Sequence, residues 1–277
     1  MIYVLLILIT WIVFAQTGMR RTMSDKKAIK EFSKAGLMLH AHSIQVKNHP
    51  LHYVSTGTGD LPTIVFLHGS PRSWTYFKNY LKDKELLQHY RLVSVDRPGY
   101  GKSGFGNVLH LRKQAELIGG LLDTLNNNQP LYLAGHSMGG PLVIAIAALK
   151  PASVSGIVII AGTLNPDEEK QGNWRKIFIK TPLKYLLPGA WKPSNEESYY
   201  LKNDLRHLLD DFAKVKCLVF LIHGTKDRIV SYRNTEWASK MFTNAPQIKT
   251  VTLANTGHYI PSKNYEELKQ LLLQLKH

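Results

Sequence analysis

Apolar segments alternate with helical patterns along most of the sequence, and this alternation restricts the fold more than any other feature. Buried parallel strands are continuous apolar runs rich in β-branched residues. Such runs occur at residues 63–67, 91–95, 131–134, 157–160 and 218–222, with a weaker one at 249–253. Helical patterns occur between them, at about residues 110–126, 138–150, 234–242 and 265–275. The order predicts a mostly parallel α/β sheet with right-handed crossovers.

Two further segments complete an eight-stranded sheet, and one long segment interrupts the pattern. Residues 44–48 and 52–56 alternate in polarity and predict an antiparallel pair at the start of the body. Residues 164–211 contain four prolines and no convincing strand, so we interpret them as a small, mostly helical cap insertion. Because ligands bind outside the carboxyl ends of such strands, the cap should cover the binding crevice. Residues 24–277 are therefore predicted to form one capped domain.

Residues 1–23 form a separate N-terminal element. Residues 2–15 are almost entirely apolar, a length typical of a signal-peptide core and short for a bilayer span. Arg20 and Arg21 follow the run and no basic residue precedes it, which favours a body on the cytoplasmic side. A cleaved signal, an uncleaved anchor and a start codon upstream of Met19 or Met23 remain open. We favour the first two, and thus export or membrane anchoring, over a cytoplasmic location.

The net charge of +15 has three explanations. Basic residues are spread along the chain without a nucleic-acid motif, so we favour a solvated basic surface. Attraction to a membrane stays open, and nucleic acid is not expected as a partner.

In the cap, residues 174–180 and 183–187 interleave basic and apolar side chains. This pattern suits an anionic membrane surface. We favour the other explanation, in which the apolar side chains pack on the sheet domain.

The strongest chemical signal is the run Gly135, His136, Ser137, Met138 and Gly139. It is a G-x-S-x-G nucleophile elbow that follows an apolar strand and opens an apolar helix, which is the context that the motif requires. The glycines permit the tight turn, and the helix N-terminus favours developing negative charge beside the serine. Ser137 is therefore the predicted nucleophile.

A serine hydroxyl needs a neutral base, and histidine supplies one. In this motif's fold the acid and the histidine follow the serine in that order. His258 lies in a polar loop after the last strand and is preferred to His207, in the cap, and to His223, which we expect to brace a loop. Asp227 directly follows the strand at 218–222 and is the predicted acid, in preference to three aspartates in or near the cap, Asp204, Asp210 and Asp211.

An acyl-transfer site also needs donors for an oxyanion. The N–H groups of Met138 and of Ser70, in the loop after the strand at 63–67, are predicted to supply them. The alternative is that Ser70 and Pro71 form an ordinary turn with no role in the site. Residues 96–103 end in Gly-Lys-Ser, but Asp96 stands where a phosphate loop needs glycine, so nucleotide binding is rejected. No cofactor and no metal are expected.

Together these motifs resemble the α/β-hydrolase fold-1 family in its usual order, over nearly all of the chain from about Gln45 except the cap. Residues 68–74 and 96–103 look closest to the epoxide hydrolase and haloalkane dehalogenase branch, whose members use an aspartate at the elbow. Ser137 argues against both activities. Members with serine include carboxylesterases, lipases, carbon–carbon bond hydrolases, proline iminopeptidases and cofactor-free haloperoxidases.

The expected function is hydrolysis of a carboxylic ester, with an apolar acyl part as one option, through an acyl-enzyme. The same residues could serve amide cleavage, carbon–carbon cleavage or acyl transfer to an alcohol, and a non-catalytic ligand-binding member of the fold is the rival outside enzymes. The expected partner is a small acyl substrate, and a membrane through the N-terminal segment is a further option. By position alone, Arg72, Trp74 and Tyr259 are predicted to contact the substrate.

Overall fold

The computed structural model describes residues 2–170 and 172–276. Met1, Gln171 and His277 fall within the predicted segments but lie outside the described residues. The strands are β1 His40–Val46, β2 His49–Thr56, β3 Thr63–Leu67, β4 Arg91–Val95, β5 Leu131–His136, β6 Gly156–Ile160, β7 Leu218–Gly224 and β8 Ile248–Leu253. The helices are α1 Ile2–Thr17, α2 Asp25–Ser33, α3 Lys84–Leu87, α4 Leu111–Leu125, α5 Gly139–Leu149, α6 Ile177–Lys180, α7 Trp191–Phe212, α8 Arg233–Ala238, α9 Ile260–Lys263 and α10 Tyr265–Leu273.

The eight strands form one sheet in the order β1-β2-β4-β3-β5-β6-β7-β8. β2 pairs antiparallel with β1 and β4, and the pairs from β3 to β8 are parallel. The predicted α/β class and strand number are therefore confirmed. Because β3, β5, β7 and β8 run in one direction, the loops that follow them meet at one edge of the sheet.

Side chains that alternate along the strands build a core on each face of the sheet. On β3, Val65 and Leu67 join the core that α4 and α5 cover. Ile64 and Phe66 point the other way and join the core that includes the C-terminal helix α10. Both faces are apolar for this reason, and the buried strands appear in the sequence as continuous apolar runs.

Two parts of the body differ from the sequence expectation. β1 begins at His40, and helix α2 precedes it, so the ordered body starts earlier than residue 44. α2 has one narrow apolar side, with Ala28 and Phe32 buried. Such a short stripe among many lysines carries a weak periodic signal, and tertiary packing stabilises the helix.

The predicted cap is present as a helical segment between β6 and β7. It contains the 3₁₀ turns Asn173–Lys176 and Pro182–Leu186, the short α6 and the long α7. The favoured explanation of its mixed basic and apolar pattern is wrong. Trp174 and Ile177 are 58% and 51% exposed, and three other large apolar residues remain exposed there, Leu183, Tyr185 and Trp191. Except for Trp191, the first residue of α7, these side chains belong to the two short turns and α6, in which no residue is buried. The rest of α7 supplies the buried contacts, such as Leu205 and Leu208.

The N-terminal apolar run forms helix α1, which lies against the cap. The indole Nε1 of Trp11 donates to the carbonyl of Leu186 at 3.1 Å, and the Gln16 amide donates to Tyr185 and Leu187. Of its residues, only Ala15 is buried. Across the described ranges, no helix has both the length and the hydropathy that a membrane span requires.

Candidate active site

The tight turn at Ser137 depends on two close backbone contacts. Ser137 has a φ of 54°, in the left-handed region that non-glycine residues seldom adopt. A side-chain carbon at Gly135 would lie 2.2 Å from the carbonyl oxygen of Gly139, and one at Gly139 would lie 2.2 Å from that of Leu67. Glycine at both positions therefore lets α5 begin directly behind β3 and β5. The serine is left between the strand end and the first turn of α5.

Asp227 and His258 come together from the loops after β7 and β8. The Nδ1 of His258 and the Oδ2 of Asp227 are 2.7 Å apart. The other carboxylate oxygen accepts from the backbone N–H groups of Ile229 and Val230, at 2.8 and 2.9 Å. Burial works against the charge, but the hydrogen bonds from histidine and backbone outweigh it, so the pKa of Asp227 lies well below its usual value. An ionised Asp227 fixes the His258 proton on Nδ1 and leaves Nε2 as an acceptor.

His223 contacts the same carboxylate. Its Nε2 lies 3.1 Å from both Asp227 Oδ2 and the carbonyl oxygen of Val230, so this nitrogen must carry the proton that both acceptors share. Its Nδ1 accepts from the hydroxyl of Thr235 at 2.7 Å. His223 braces the loop, as the sequence indicated, and also donates to Asp227, which the sequence did not reveal. Its position at the end of β7, four residues before the acid, was the available signal.

His136, the residue before Ser137, connects the elbow to the loop of His258. Its Nε2 donates to the carbonyl oxygen of His258 at 2.9 Å, and the two rings are 4.8 Å apart. Burial disfavours the charged ring and lowers the pKa of His136 to about 3. Neutral His136, the residue directly before Ser137, therefore ties the backbone of His258 to the elbow. Both Ser137 and His258 are buried, each 7% exposed.

The loop after β3 lies directly against the elbow. A side-chain carbon at Gly69 would be 2.9 Å from the Cβ of Ser137, so the backbone just before Ser70 passes over the serine. Met138, the residue after Ser137, stands at the start of α5. The structure thus brings the loop of Ser70 close to Ser137 and Met138. Whether the N–H groups of Ser70 and Met138 bind an oxyanion stays a prediction.

A buried ionic network joins this loop to the cap. The hydroxyl of Ser70 is 2.6 Å from that of Tyr100, which donates to Glu197 of α7 at 2.6 Å. The guanidinium of Arg97 forms two hydrogen bonds with the Glu197 carboxylate, and Gln114 donates to it at 3.1 Å. Burial raises the pKa of Glu197, but the charge and hydrogen bonds of Arg97 outweigh burial, and its pKa lies below the usual value. No pattern in the sequence paired residues this far apart.

The three predicted substrate contacts have different surroundings. Trp74 is fully buried in the core with Phe66, and it offers no exposed surface to a ligand. Arg72 lies over the ring of Tyr259 at 5.6 Å, beside His258, and Tyr259 is 43% exposed. Arg72 and Tyr259 therefore remain candidates for the site rim, and Trp74 is not retained. In residues 2–170 and 172–276, no group of three or more His, Cys, Asp or Glu side chains could hold a metal ion.

Comparison with known proteins defines the class. A sequence profile described as the alpha/beta hydrolase family matches residues 64–270. The strand order and the elbow agree with that match, and the chain belongs to the alpha/beta hydrolase family of enzymes.

The relatives that this chain resembles are named as hydrolases. A 2-hydroxy-6-oxononadienedioate/2-hydroxy-6-oxononatrienedioate hydrolase of Paraburkholderia phymatum is 34% identical over 262 aligned residues, which cover 80% of this chain and 89% of the relative. The same enzyme of Burkholderia vietnamiensis is 35% identical over 116 residues, and this match spans 40% of each chain. The solved structure of a membrane phospholipase A has a TM-score of 0.63 at 20% identity and covers all of this chain and 97% of its own. The last likeness shows the fold alone.

Proposed function

We propose that the chain is a serine hydrolase that cleaves a carboxylic ester through an acyl-enzyme on Ser137. The observation that carries the proposal is the buried pair of Asp227 and His258, which a hydrogen bond from His136 joins to the elbow of a serine in the left-handed conformation. Strained backbone at a buried serine costs free energy, and such strain is typical of functional sites. The second carboxylate oxygen is held by two backbone N–H groups, so the acid is fixed independently of the histidine.

In the first half of the reaction, the Oγ of Ser137 attacks the acyl carbon while its proton passes to Nε2 of His258. The bond to the alcohol oxygen then breaks, and the alcohol leaves with that proton. Ionised Asp227 stabilises the imidazolium that exists between the two transfers. The N–H groups of Met138 and Ser70 would stabilise the oxyanion, for which each donor contributes about 3–4 kcal/mol in enzymes of this type.

In the second half, His258 takes a proton from water, and the resulting hydroxide attacks the acyl carbon of the acyl-enzyme. The ester bond to Ser137 breaks, its Oγ recovers a proton from His258, and the acid is released. The reaction is balanced by substrate and water alone.

Carbon–carbon bond cleavage is the second candidate, because the relative from Paraburkholderia phymatum is a hydrolase of an oxo-dienedioate and is 34% identical. A dioate substrate carries carboxylates, and Arg72, which lies over the ring of Tyr259, the residue after His258, is a cation that could bind one. The ester proposal predicts that Arg72→Met leaves turnover of a neutral ester largely intact. The alternative predicts a large rise in KM for an oxo-dienedioate in the same variant.

The first experiment is labelling of the full chain with a fluorophosphonate probe, together with turnover of p-nitrophenyl esters. Ser137→Ala should abolish labelling and ester turnover, whereas Ser33→Ala, an exposed serine on α2, should change neither. Labelling with turnover of only the oxo-dienedioate would favour the second candidate. A folded wild-type chain that neither reacts with the probe nor turns over an ester would refute the serine hydrolase proposal.

A further inference from the structure

Helix α1 is apolar on every side and carries no charged residue. Apart from the half-buried Ile12, its large apolar side chains are 40–77% exposed, from Trp11 at the lower end to Tyr3 at the upper end. A helix of this kind is stable when apolar material surrounds it, in a protein core or in lipid. By a rise of 1.5 Å per residue its 16 residues extend about 24 Å, so most of that length lacks such surroundings.

The base of α1 is attached to the cap by polar contacts at several points. Trp11 and Gln16 donate to consecutive carbonyls of residues 185–187. The N–H of Ala190 donates to the carbonyl of Met19 at 3.0 Å, and a side-chain carbon at Gly189 would lie 1.9 Å from that oxygen. The helix and the cap therefore present their exposed apolar residues as one surface. We call it the cap face: α1 together with Trp174, Ile177, Leu183, Tyr185 and Trp191.

The two segments that form the cap face carry charge of one sign, and acidic residues such as Glu169 and Glu196 lie just outside them. Residues 1–24 and 170–195 contain no Asp or Glu, and they contain eight basic residues. Four of these lie against aromatic rings of the cap face: Arg21 over Trp191 at 5.2 Å, Arg175 over Trp174 at 4.8 Å, and Lys184 and Lys192 over Tyr185 at 5.3 and 5.0 Å. Aromatic and cationic side chains that surround an apolar element are the arrangement found where proteins meet anionic lipid.

A cavity of about 480 Å³ opens beside this surface. It lies between the turns that flank α6 and the start of α7. Most of its exposed wall is apolar and comes from Trp174, Leu187, Pro188 and Trp191, and the polar residues Arg175, Ser194, Asn195 and Ser198 line the rest. Its volume lies within the range of pockets that bind small molecules. A hydrocarbon chain from an adjoining lipid layer could enter such a cavity without passing through water.

We propose that the cap face is a membrane-binding surface for anionic lipid, with α1 inserted among the acyl chains and the basic residues at the headgroups. The cap then lies between the lipid layer and Ser137, so the substrate class is a lipid-like ester. That second statement rests on the proposed function, whereas the binding surface does not. The commitment to lipid follows from the complementary charge, since a second copy of this chain would bring eight more cations to the contact.

The test is flotation of the full chain with phosphatidylcholine vesicles that contain or lack phosphatidylglycerol. We expect association with the anionic vesicles that weakens as salt is raised. Lys176→Gln with Lys180→Gln should lower the partition coefficient about 25-fold, since one lysine near an anionic surface is worth about fivefold. The matched control is Lys30→Gln with Lys34→Gln on α2, where both lysines are also exposed, and it should retain wild-type binding.

The apolar contribution of the cap face to membrane binding is tested by a matched pair of substitutions. Ile177→Ser should weaken vesicle binding, whereas Ile29→Ser on α2, at a similar exposure of 45%, should not. Absence of vesicle binding, binding that the cap substitutions leave unchanged, or a stable dimer that hides α1 without lipid would each overturn the proposal. Turnover of a short soluble ester separates this outcome from failure of the proposed function, because none of the six substitutions in these four variants touches Ser137, Asp227 or His258.

Discussion

The buried pair of Arg97 and Glu197 allows a quantitative prediction. Arg97 has no exposed surface, and the Glu197 carboxylate satisfies its guanidinium through two hydrogen bonds. Glu197→Ala would leave a buried cation without its counter-ion and would remove the acceptor of Tyr100. At about 3 Å and an effective dielectric constant of about 20, the gross attraction is roughly 5 kcal/mol. Removing one partner of a buried pair costs about 3–5 kcal/mol in measured cases.

We therefore expect Glu197→Ala to lower the free energy of unfolding by about 3–5 kcal/mol. At about 2–4 °C per kcal/mol for a chain of this size, Tm should fall by about 10 °C. The measurement is thermal and urea denaturation followed by circular dichroism. Glu196→Ala is the matched control, because this neighbouring glutamate on α7 is partly exposed and has no partner of comparable geometry among the described residues.

The double substitution Arg97→Met with Glu197→Leu tests the cause. If an unpaired buried charge is responsible for the loss, removing both charges should recover much of the stability. A Tm for Glu197→Ala within 2 °C of Glu196→Ala, by the same scale of about 2–4 °C per kcal/mol, would refute the reasoning. So would a double variant less stable than Glu197→Ala, since packing rather than charge would then dominate.

Three other substitutions test the elbow, the buried histidines and the acid. Gly139→Ala should prevent folding of the elbow and abolish probe labelling, whereas Gly59→Ala, with open space around it, should leave both intact. Burial holds the pKa of His68 and of His136 at about 3, below the ordinary 6.5, so the unfolded chain binds more protons between these values. The contribution of these histidines to the free energy of unfolding should therefore be full above pH 6.5 and fall by up to about 1.4 kcal/mol per pH unit for each histidine as the pH drops towards 3. His68→Gln should reduce that slope when unfolding is followed during acid titration. Asp227→Asn should lower kcat about 10⁴-fold with little change in KM, and an unchanged kcat would contradict its role as the orienting acid.

The sequence by itself determined the sheet and the elbow, because both depend on local patterns. Continuous β-branched runs bury a strand on both faces wherever they occur, and glycines on either side of Ser137 are a requirement of one backbone turn. The order of Ser137, Asp227 and His258 along strand ends was sufficient to bring these residues to one edge of a parallel sheet. The bounds of α4, α5 and α10 lie within about two residues of those that periodicity indicated, whereas α8 ends at Ala238, four residues before its predicted end, and α6, α7 and α9 had no predicted bounds.

Only the tertiary structure decided which distant side chains pair and which apolar side chains are covered. The contact of His223 with Asp227 and the network from Ser70 to Glu197 depend on loop paths that no local pattern encodes. Trp74 and Trp174 are the same residue type near the predicted crevice, yet one is buried in the core and the other is exposed on the cap. Burial depends on how much surface neighbouring elements supply: the core beside β3 surrounds Trp74, whereas the short turns of the cap leave Trp174 and α1 uncovered. The physical reason is that a periodic pattern specifies which side of an element is apolar, while packing alone specifies what that side contacts.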